Sequence, residues 1–542
     1  MAKIIRDNTS GIPTDEMGHV VDQMMQDAKN SRHAFERKWY DNLFFDDGHH
    51  FRYVSRTANK VVDLSNRESI YTPMRSIPKA SRQIRGIANL LLANDPIPVV
   101  YPEKINPTAF QDLEELAQAL KTTKDEAKMV GHFVSEEFKE QDIHRKLAQM
   151  LILAAKQSVS WMQIWPDAVR ERIHTQVYDA FDIYVQGDIT EVEDLPYIGK
   201  GVRMPISEIK ANELFDQKQL EKIRPDNKRA SSEIKEAYMT SRYGRGETSE
   251  YVPTLIQKEF FFKEYISSKN MFRIAQQEDV EKVLRNKKEG DVVLRQVFVA
   301  GDVPLRDRYV SLSEYPFVDF RFEPGPLYST SLIERFIPLN KSLDSAVSRL
   351  ERFFHTMNVG AWMKRQGEQL NISNMAGGQV LEYQSTPPVQ ARIESPSAMS
   401  FSFLQLLSGL IEEQGVTTST MARVPSGVRA NAAIESLKES EMANLVIASR
   451  QVKRTVKSIA EKIIDMADDY FVTPKTVYYL EKGEPQYFDI IGASALNLRQ
   501  QANIETPENV LPIKKTYRVD IEVESGLGYT KAGKKDAAKD LG

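Results

Sequence analysis

The sequence SLIERFIPLNKSLDSAVSRLERFFHTM, residues 331–357, is the first of two long helical patterns around which the rest of the chain is organised. Ser331 with Glu334 three residues later predicts a capping box at its start. Pro338 lacks a backbone donor, so either the helix begins near Pro338 or it is kinked there. Apolar residues recur three and four positions apart, as on one buried helix face. They are Phe336, Leu339, Leu343, Val347, Leu350, Phe354 and Met357.

The second helical pattern runs from Ile434 to Phe471 and has two different faces. Its apolar face keeps broadly the same spacing and predicts packing against a core. Another face carries a basic stripe at helical spacing, which consists of Arg450, Lys453, Arg454 and Lys457. Three surroundings remain open for this basic stripe: DNA, solvent or a neighbouring subunit.

The segment between the two patterns, QGVTTSTMARVPSGVR at residues 414–429, is small, polar and punctuated by glycine and proline. This composition is typical of a loop. It carries two arginines, Arg423 and Arg429, and a run of hydroxyl side chains that includes Thr417, Thr418 and Ser419. The arginines either face an anion, pair with nearby carboxylates or lie in solvent.

Composition limits the classes of protein that this chain can belong to. Its 542 residues exceed what one hydrophobic core supports, which predicts roughly two to four domains. Hydrophobic residues at 41% and charged residues at 27% are typical of a globular protein. The net charge of −4 gives no global attraction to nucleic acid, so any DNA contact must be local. We expect no signal peptide and no membrane span, because no apolar stretch is long enough.

The sequence contains no catalytic or cofactor signature. Cysteine is absent, which excludes disulfides, thiolate metal sites and a cysteine nucleophile and suits a reducing cytoplasm. No GxxxxGK[ST] phosphate loop occurs, and the glycine pair Gly377-Gly378 is typical of a plain turn. His49 and His50 are adjacent and lack a zinc-enzyme pattern, so we expect surface or packing histidines. The sequence therefore predicts no enzyme activity, no metal and no cofactor.

The remaining elements predict a protein of the α+β class. Helical patterns cover residues 19–42, 76–92, 110–161 (twice), 207–222 and 231–242. Strand-like patterns cover residues 158–165 and most of residues 251–322. A further alternating stretch, 177–184, lies within the β-like region 172–204, and residues 97–102 form a short extended segment. Residues 251–322 predict a compact β-rich module between helices, with a hairpin turn at Ala300-Gly301-Asp302.

Several stretches, taken in order, resemble portal proteins of tailed double-stranded DNA bacteriophages. Arg37-Lys38-Trp39-Tyr40-Asp41-Asn42, followed by Asp47-Gly48-His49-His50, is similar to the tryptophan-asparagine-glycine opening of many portals. Residues 82–89 with Asn94-Asp95-Pro96 resemble their first wing helix and its stop. Residues 177–185 resemble a portal strand that ends in an aromatic residue and a turn. The resemblance covers most of residues 30–530.

The resemblance implies a portal fold with the following parts. Residues 1–230 would form the N-terminal segment and wing, 231–249 the first stem helix, 250–325 the clip, and 326–357 the second stem helix. Residues 358–413 would form the second part of the wing, 414–433 the tunnel loop, and 434–542 the long helix and C-terminal crown region. The chain departs from the family in stopping at Leu541-Gly542, where many portals carry a larger helical crown, so either the crown is small or a tail is missing.

The resemblance also implies partners and a location. The subunits would form a cyclic homo-oligomer, by resemblance a dodecamer, at the capsid vertex of a virion assembled in the host cytoplasm. Double-stranded DNA would pass through its channel, and its other partners would be the major capsid protein, the terminase packaging motor and the head-to-tail connector. Two alternatives remain open: a virion scaffold protein without a channel, and a hydrolase whose site the sequence patterns do not reveal.

Overall fold

The computed structural model describes residues 12–55, 61–68, 72–93, 96–102, 113–167, 172–225, 253–277, 280–284, 287–359, 361–367, 379–385, 398–415, 445–481, 484–501 and 510–522. Helices and strands are mixed along the chain, which confirms the α+β class. Within the described residues, none of the helices has the length and hydropathy needed to cross a bilayer.

The described helices alternate with strands from one end of the chain to the other. The α-helices are α1 (Met17–Asp46), α2 (Lys79–Leu92), α3 (Leu113–Glu140), α4 (Ile143–Gln157), α5 (Ile206–Lys210), α6 (Gln217–Leu220), α7 (Ser268–Ala275), α8 (Val280–Val283), α9 (Ile337–Val359), α10 (Ala398–Glu413), α11 (Val446–Tyr470) and α12 (Ala493–Gln501).

The strands form several small sheets. They are β1 (Arg52–Val54), β2 (Val61–Asp63), β3 (Ile97–Tyr101), β4 (Ser160–Asp167), β5 (Arg172–Tyr178), β6 (Ile183–Tyr184), β7 (Tyr197–Pro205), β8 (Thr254–Tyr265), β9 (Val292–Ala300), β10 (Val303–Val310), β11 (Phe317–Phe320), β12 (Ala361–Arg365), β13 (Gln379–Tyr383), β14 (Lys475–Glu481), β15 (Glu484–Gly492), β16 (Val510–Ile513) and β17 (Arg518–Glu522). The largest sheet is antiparallel with the order β10-β9-β8-β7-β6, and a second has the order β11-β4-β5.

Strand β8 lies in the middle of the largest sheet and is buried on both faces. Successive side chains of a strand point to opposite faces, so three consecutive phenylalanines require a cover on each side. Phe260 and Phe262 pack in a cluster with the first half of α1. Phe261 points the other way and meets Phe317 edge-to-face, with ring centroids 5.9 Å apart. All three aromatic side chains are therefore core residues.

The β-rich segment expected at residues 251–322 is present as β8 to β11, but its strands also pair with strands outside the segment. Strand β8 pairs along its length with β7, which precedes the module in the chain. Strand β11 leaves the module and pairs with β4. The hairpin turn at Gly301 is present between β9 and β10, with a positive φ of 62°. The β-rich segment is therefore continuous with the sheets of the N-terminal half, and pairing on both edges leaves β8 with no exposed row of unpaired backbone groups.

The expected strand at residues 177–184 is interrupted by a turn. Asp179 accepts hydrogen bonds from the backbone N–H groups of Phe181 and Asp182 through its side chain. The buried guanidinium of Arg32 then binds three backbone carbonyls, those of Ala180, Phe181 and Ile183, at 2.7–3.2 Å. These local and long-range partners satisfy backbone groups that would otherwise pair in a sheet, which is why the alternating pattern did not yield one strand.

The single helix expected at residues 207–222 is also wrong, because two short helices, α5 and α6, form there. Between them the side chain of Asn212 accepts a bond from Leu214 N–H, and Asp216 caps α6 by accepting from Lys218 N–H at 3.0 Å. Short polar side chains of this kind compete with the helix for backbone donors. Phe215 turns inward and packs in a cluster with Ile206, Ile209, Leu220 and Ile223.

Helix α9 begins where the sequence predicts. Ser331 and Glu334 form the capping box of a short 3-10 helix, Leu332–Arg335, and α9 follows directly. Pro338 lies in the first turn of α9, where a missing backbone donor costs nothing, so the first of the two alternatives is confirmed.

A buried polar seam joins the start of α9 to distant parts of the chain. Asn340 accepts a bond from Ala80 N–H at 2.9 Å and so caps α2, and it donates to the carbonyl of Ile77. Asp344 accepts from Ile77 N–H and contacts His50 at 2.5 Å. Asn42 on α1 donates to Ser331 and to the carbonyl of Lys156. We call these residues the polar seam: Asn42, His50, Ser331, Asn340 and Asp344.

A buried ion pair of the largest sheet is linked to the second sheet by a glutamine side chain. Lys200 on β7 lies 2.8 Å from Glu259 on β8, and Gln163 on β4 bonds to both side chains. Burial alone would raise the pKa of Glu259, but the Lys200 charge and the donated hydrogen bonds outweigh it, and the pKa is lowered. Burial alone would lower the pKa of Lys200, but Glu259 and Tyr178 raise it. Both groups are therefore held in their charged forms.

We expect Glu259→Gln to destabilise the protein by about 3–5 kcal/mol near neutral pH, since it leaves a buried, unpaired Lys200. A carboxyl with a lowered folded-state pKa stabilises above its unfolded pKa, and this contribution is lost as pH falls through the folded pKa. The difference between variant and parent should therefore shrink in acid. Chemical denaturation of parent and variant measures this difference in the free energy of unfolding. The measurements run from neutral pH down to pH values below the ordinary pKa range of a carboxyl group.

The matched control is Glu323→Gln, which breaks an exposed pair with Arg335 and should change stability far less. The double variant Lys200→Met/Glu259→Gln should be more stable than Glu259→Gln alone, because no buried charge remains. Equal losses in the buried and exposed variants would contradict a structural role for the pair.

Candidate nucleic-acid interface

The basic stripe lies on the outer side of helix α11. The opposite side is apolar and buried, and the exposed fractions of Val452, Val456, Ile459 and Ile463 are 3% or less. Helix α11 packs across β11, β4 and β5 and against the C-terminal strands. The amphipathic pattern expected from the sequence is confirmed over Val446–Tyr470; residues 434–444 lie outside the described residues.

Two members of the basic stripe face carboxylates. Arg454 donates to Glu191 at 2.9 Å and to Asp319 at 3.3 Å. Asp319 also binds Arg321, and its carbonyl accepts a bond from Thr455 at 3.0 Å. Lys457 lies 3.8 Å from Glu461, one turn along the helix. Arg454 therefore ties α11 to β11, and much of the charge of these two residues is balanced locally.

The other two members are differently placed. Arg450 is exposed and Lys453 is half-buried. Among the parts of the chain that the structure describes, neither forms an ion pair. Of the four predicted cations, Arg450 and Lys453 thus remain able to contact an external anion.

Sequence reasoning missed the acceptors of Arg454. Glu191 is 263 positions away in the chain and Asp319 is 135 positions away. No periodicity or motif connects residues so far apart, so only the folded structure could identify the pairing.

The expected tunnel-loop residues Thr417, Thr418, Ser419, Arg423 and Arg429 lie outside the described residues. The helices on either side of this segment are described, and both α10 and α11 contact α2. At the end of α10, Gly415 lies so close to its neighbours that a Cβ would come 2.4 Å from the Gln83 side chain and 3.2 Å from Phe336. The segment therefore leaves α10 at a tightly packed position beside α2.

His50, the second member of the histidine pair, is buried. His50 stacks on Phe45 with ring centroids 3.8 Å apart and contacts Asp344 in the polar seam, so the expectation of a packing residue is confirmed for His50. A search of the described residues finds no group of three His, Asp or Glu side chains that could hold a metal ion. The glycine pair Gly377-Gly378 and the helical pattern at 231–242 lie outside the described residues.

Comparison with known proteins does not assign this chain to a family. A scan against protein-family models found no match to this chain, and a search of curated proteins found no similar sequence.

We expect Arg450→Gln/Lys453→Gln to weaken binding of the assembled protein to double-stranded DNA. Each phosphate contact that is lost removes counterion release, so the slope of log K against log salt should become shallower by about 2 for every subunit that contacts the duplex. Fluorescence anisotropy with a short duplex over a salt series measures this slope.

The control variant is Lys210→Gln/Lys218→Gln, which removes two exposed lysines from α5 and α6. It carries the same change in net charge at a different surface. An identical salt slope for the parent and the α11 variant would exclude Arg450 and Lys453 from the DNA contact.

Proposed function

We propose that this chain is the subunit of a ring-forming portal protein at one capsid vertex of a tailed double-stranded DNA bacteriophage. The ring forms the channel through which DNA is packaged and later ejected. It docks the terminase packaging motor during packaging and the head-to-tail connector afterwards, and it contacts the major capsid protein. In this proposal the protein has no enzymatic activity of its own, and ATP-driven work belongs to the motor.

The observation that carries the proposal is the order of elements along the chain. A helical and mixed N-terminal half comes first, then a β-rich segment, the long helix α9, a Gly/Pro/Arg-containing segment and a second long helix, α11. The portal assignment gives these the roles of wing, clip, stem helix, tunnel loop and crown-side helix. The Trp39 and Asn42 motif supports it further, because Asn42 ties the wing helix α1 to the cap that precedes the proposed stem helix α9.

The charge distribution also supports a conduit. A ring through which DNA slides must not hold phosphates tightly, because every neutralised phosphate adds affinity. The subunit has a net charge of −4, and Arg454 and Lys457 face carboxylates. A few cations per subunit are enough, since ring symmetry repeats each of them around the channel.

The first test is the mass and symmetry of the purified protein. We expect a closed ring with a central hole, by resemblance a dodecamer, in native mass spectra and in electron-microscope class averages viewed along the ring axis. A compact, globular dimer with no central opening, unchanged when capsid scaffold protein is added, would contradict the portal assignment.

A second test concerns the tunnel loop. Replacing residues 417–429 with a Gly-Ser linker of the same length should leave ring assembly intact and impair packaging or retention of DNA, since the side chains proposed to line the channel are removed. An in vitro packaging assay that counts nuclease-protected genomes measures the effect. A Gly-Ser replacement of residues 211–214, in the turn between α5 and α6, serves as the control, and normal packaging by the loop variant would refute the loop assignment.

A further inference from the structure

Helix α10 is unusual because an apolar surface on it is exposed. Four large side chains on it are far from buried: Met399 is 80% exposed, Phe401 45%, Phe403 51% and Leu406 56%. Only Leu407 and Ile411 of this helix are buried. Met399, Phe403 and Leu406 recur four and three positions apart, so they form one stripe along the helix. We call these three residues the apolar stripe.

Most of helix α10 carries no charge. From Ala398 to Ile411 the sequence AMSFSFLQLLSGLI contains no charged residue, and the first charges are Glu412 and Glu413 at the end of the helix. Helix α9, against which α10 packs, also carries an exposed apolar side chain, Phe354, which is 42% exposed.

The exposed area is large for a monomer. The four exposed side chains of α10 present roughly 400 Å², if a large side chain shows about 150–250 Å² when fully exposed. This is comparable to the largest apolar patch of a typical monomer, about 300–600 Å², and such patches are often functional. It is about half of the roughly 800 Å² that each partner contributes to a standard interface. Flanking polar residues would supply the remainder.

The chemistry favours a protein surface over a membrane or nucleic acid. Helices that lie on membranes carry lysine and arginine on the polar face. Helix α10 has none, and the exposed Glu413 at its end would be repelled by anionic lipid and by phosphate, while Glu412 pairs with Lys79. An uncharged apolar stripe of this size matches an interface core, in which charged residues are depleted and aromatic residues and methionine are enriched.

We propose that the apolar stripe of α10 is a contact between subunits and is covered by a second copy of this chain. In this respect the inference rests on the proposed function, because it names a surface through which the ring closes. In a cyclic ring the stripe meets a different surface of the next subunit, whereas in a two-fold dimer it meets itself.

The test uses the full-length variants Phe403→Glu and Leu406→Glu. Each places a charge in the interface core, and we expect association between subunits to weaken by at least about 30-fold, as for an interface hot spot. Sedimentation velocity over a concentration series measures it. The matched control is Leu214→Glu, at a leucine that is 55% exposed in the turn between α5 and α6, and it should assemble like the parent. Circular dichroism and thermal unfolding verify that each variant is folded.

The absence of cysteine allows a second readout. Ser402→Cys, beside the apolar stripe, can be labelled with an environment-sensitive fluorophore. The emission of this fluorophore should shift to the blue on assembly, because the second subunit shields it from water. Phe403→Cys distinguishes a cyclic ring from a two-fold dimer. A disulfide between two copies of the introduced cysteine forms only where two apolar stripes face each other.

The outcomes separate this inference from the proposed function. Closed rings in the parent with unchanged assembly of the stripe variants would overturn the stripe contact and leave the portal assignment standing. A disulfide-linked dimer of Phe403→Cys, together with a parent dimer that is lost in Leu406→Glu, would support the stripe contact and refute the ring. A parent that remains monomeric and floats with vesicles of phosphatidylcholine and phosphatidylglycerol, while Phe403→Glu does not, would overturn the stripe contact in favour of lipid.

Discussion

The polar seam at the start of α9 is the constraint on which the arrangement of the helices depends. Asn340 and Asp344 are buried, with exposed fractions of 1% or less, and so are Ser331 and Asn42. A buried polar group without a partner is costly, so each of these side chains specifies which element must lie beside it. Through them α9 is held to α1, to α2 and to the end of α4 in one register. Apolar packing alone would tolerate a helix shifted by a turn; a satisfied polar network does not.

Paired cations extend the same principle to the sheets. Arg32 binds the carbonyls of the turn after β5, Lys200 joins the two main sheets through Gln163, and Arg454 ties α11 to β11. Basic residues that bind internal carbonyls and carboxylates in this way attract an external anion only weakly. A subunit of this kind offers DNA only a few cations, and a ring that repeats them around a channel can guide DNA without holding it fast.

Local patterns predicted much of the fold correctly. The helices of the N-terminal half, the capping box at Ser331, the position of Pro338 and the hairpin at Gly301 all follow from interactions within a few residues. The predictions of secondary structure were wrong where a side chain formed hydrogen bonds with backbone groups. Asp179 and Arg32 replaced a strand by a turn, and Asn212 and Asp216 divided a helix in two. The candidate site was predicted only as a stripe of four basic residues, and the sequence could not tell which of them were already paired.

The sequence by itself determined the α+β class, most helix and strand positions and the amphipathic character of α11, because periodicity, capping and turn chemistry act over a few residues. Only the tertiary structure decided that β8 and β11 join sheets begun earlier in the chain, that Asn340 caps a helix 260 positions away, and that Arg454 faces the distant carboxylates of Glu191 and Asp319. It also decided that an apolar helix such as α10 is exposed. Such outcomes depend on which distant segments meet in space, and a one-dimensional pattern does not contain that information.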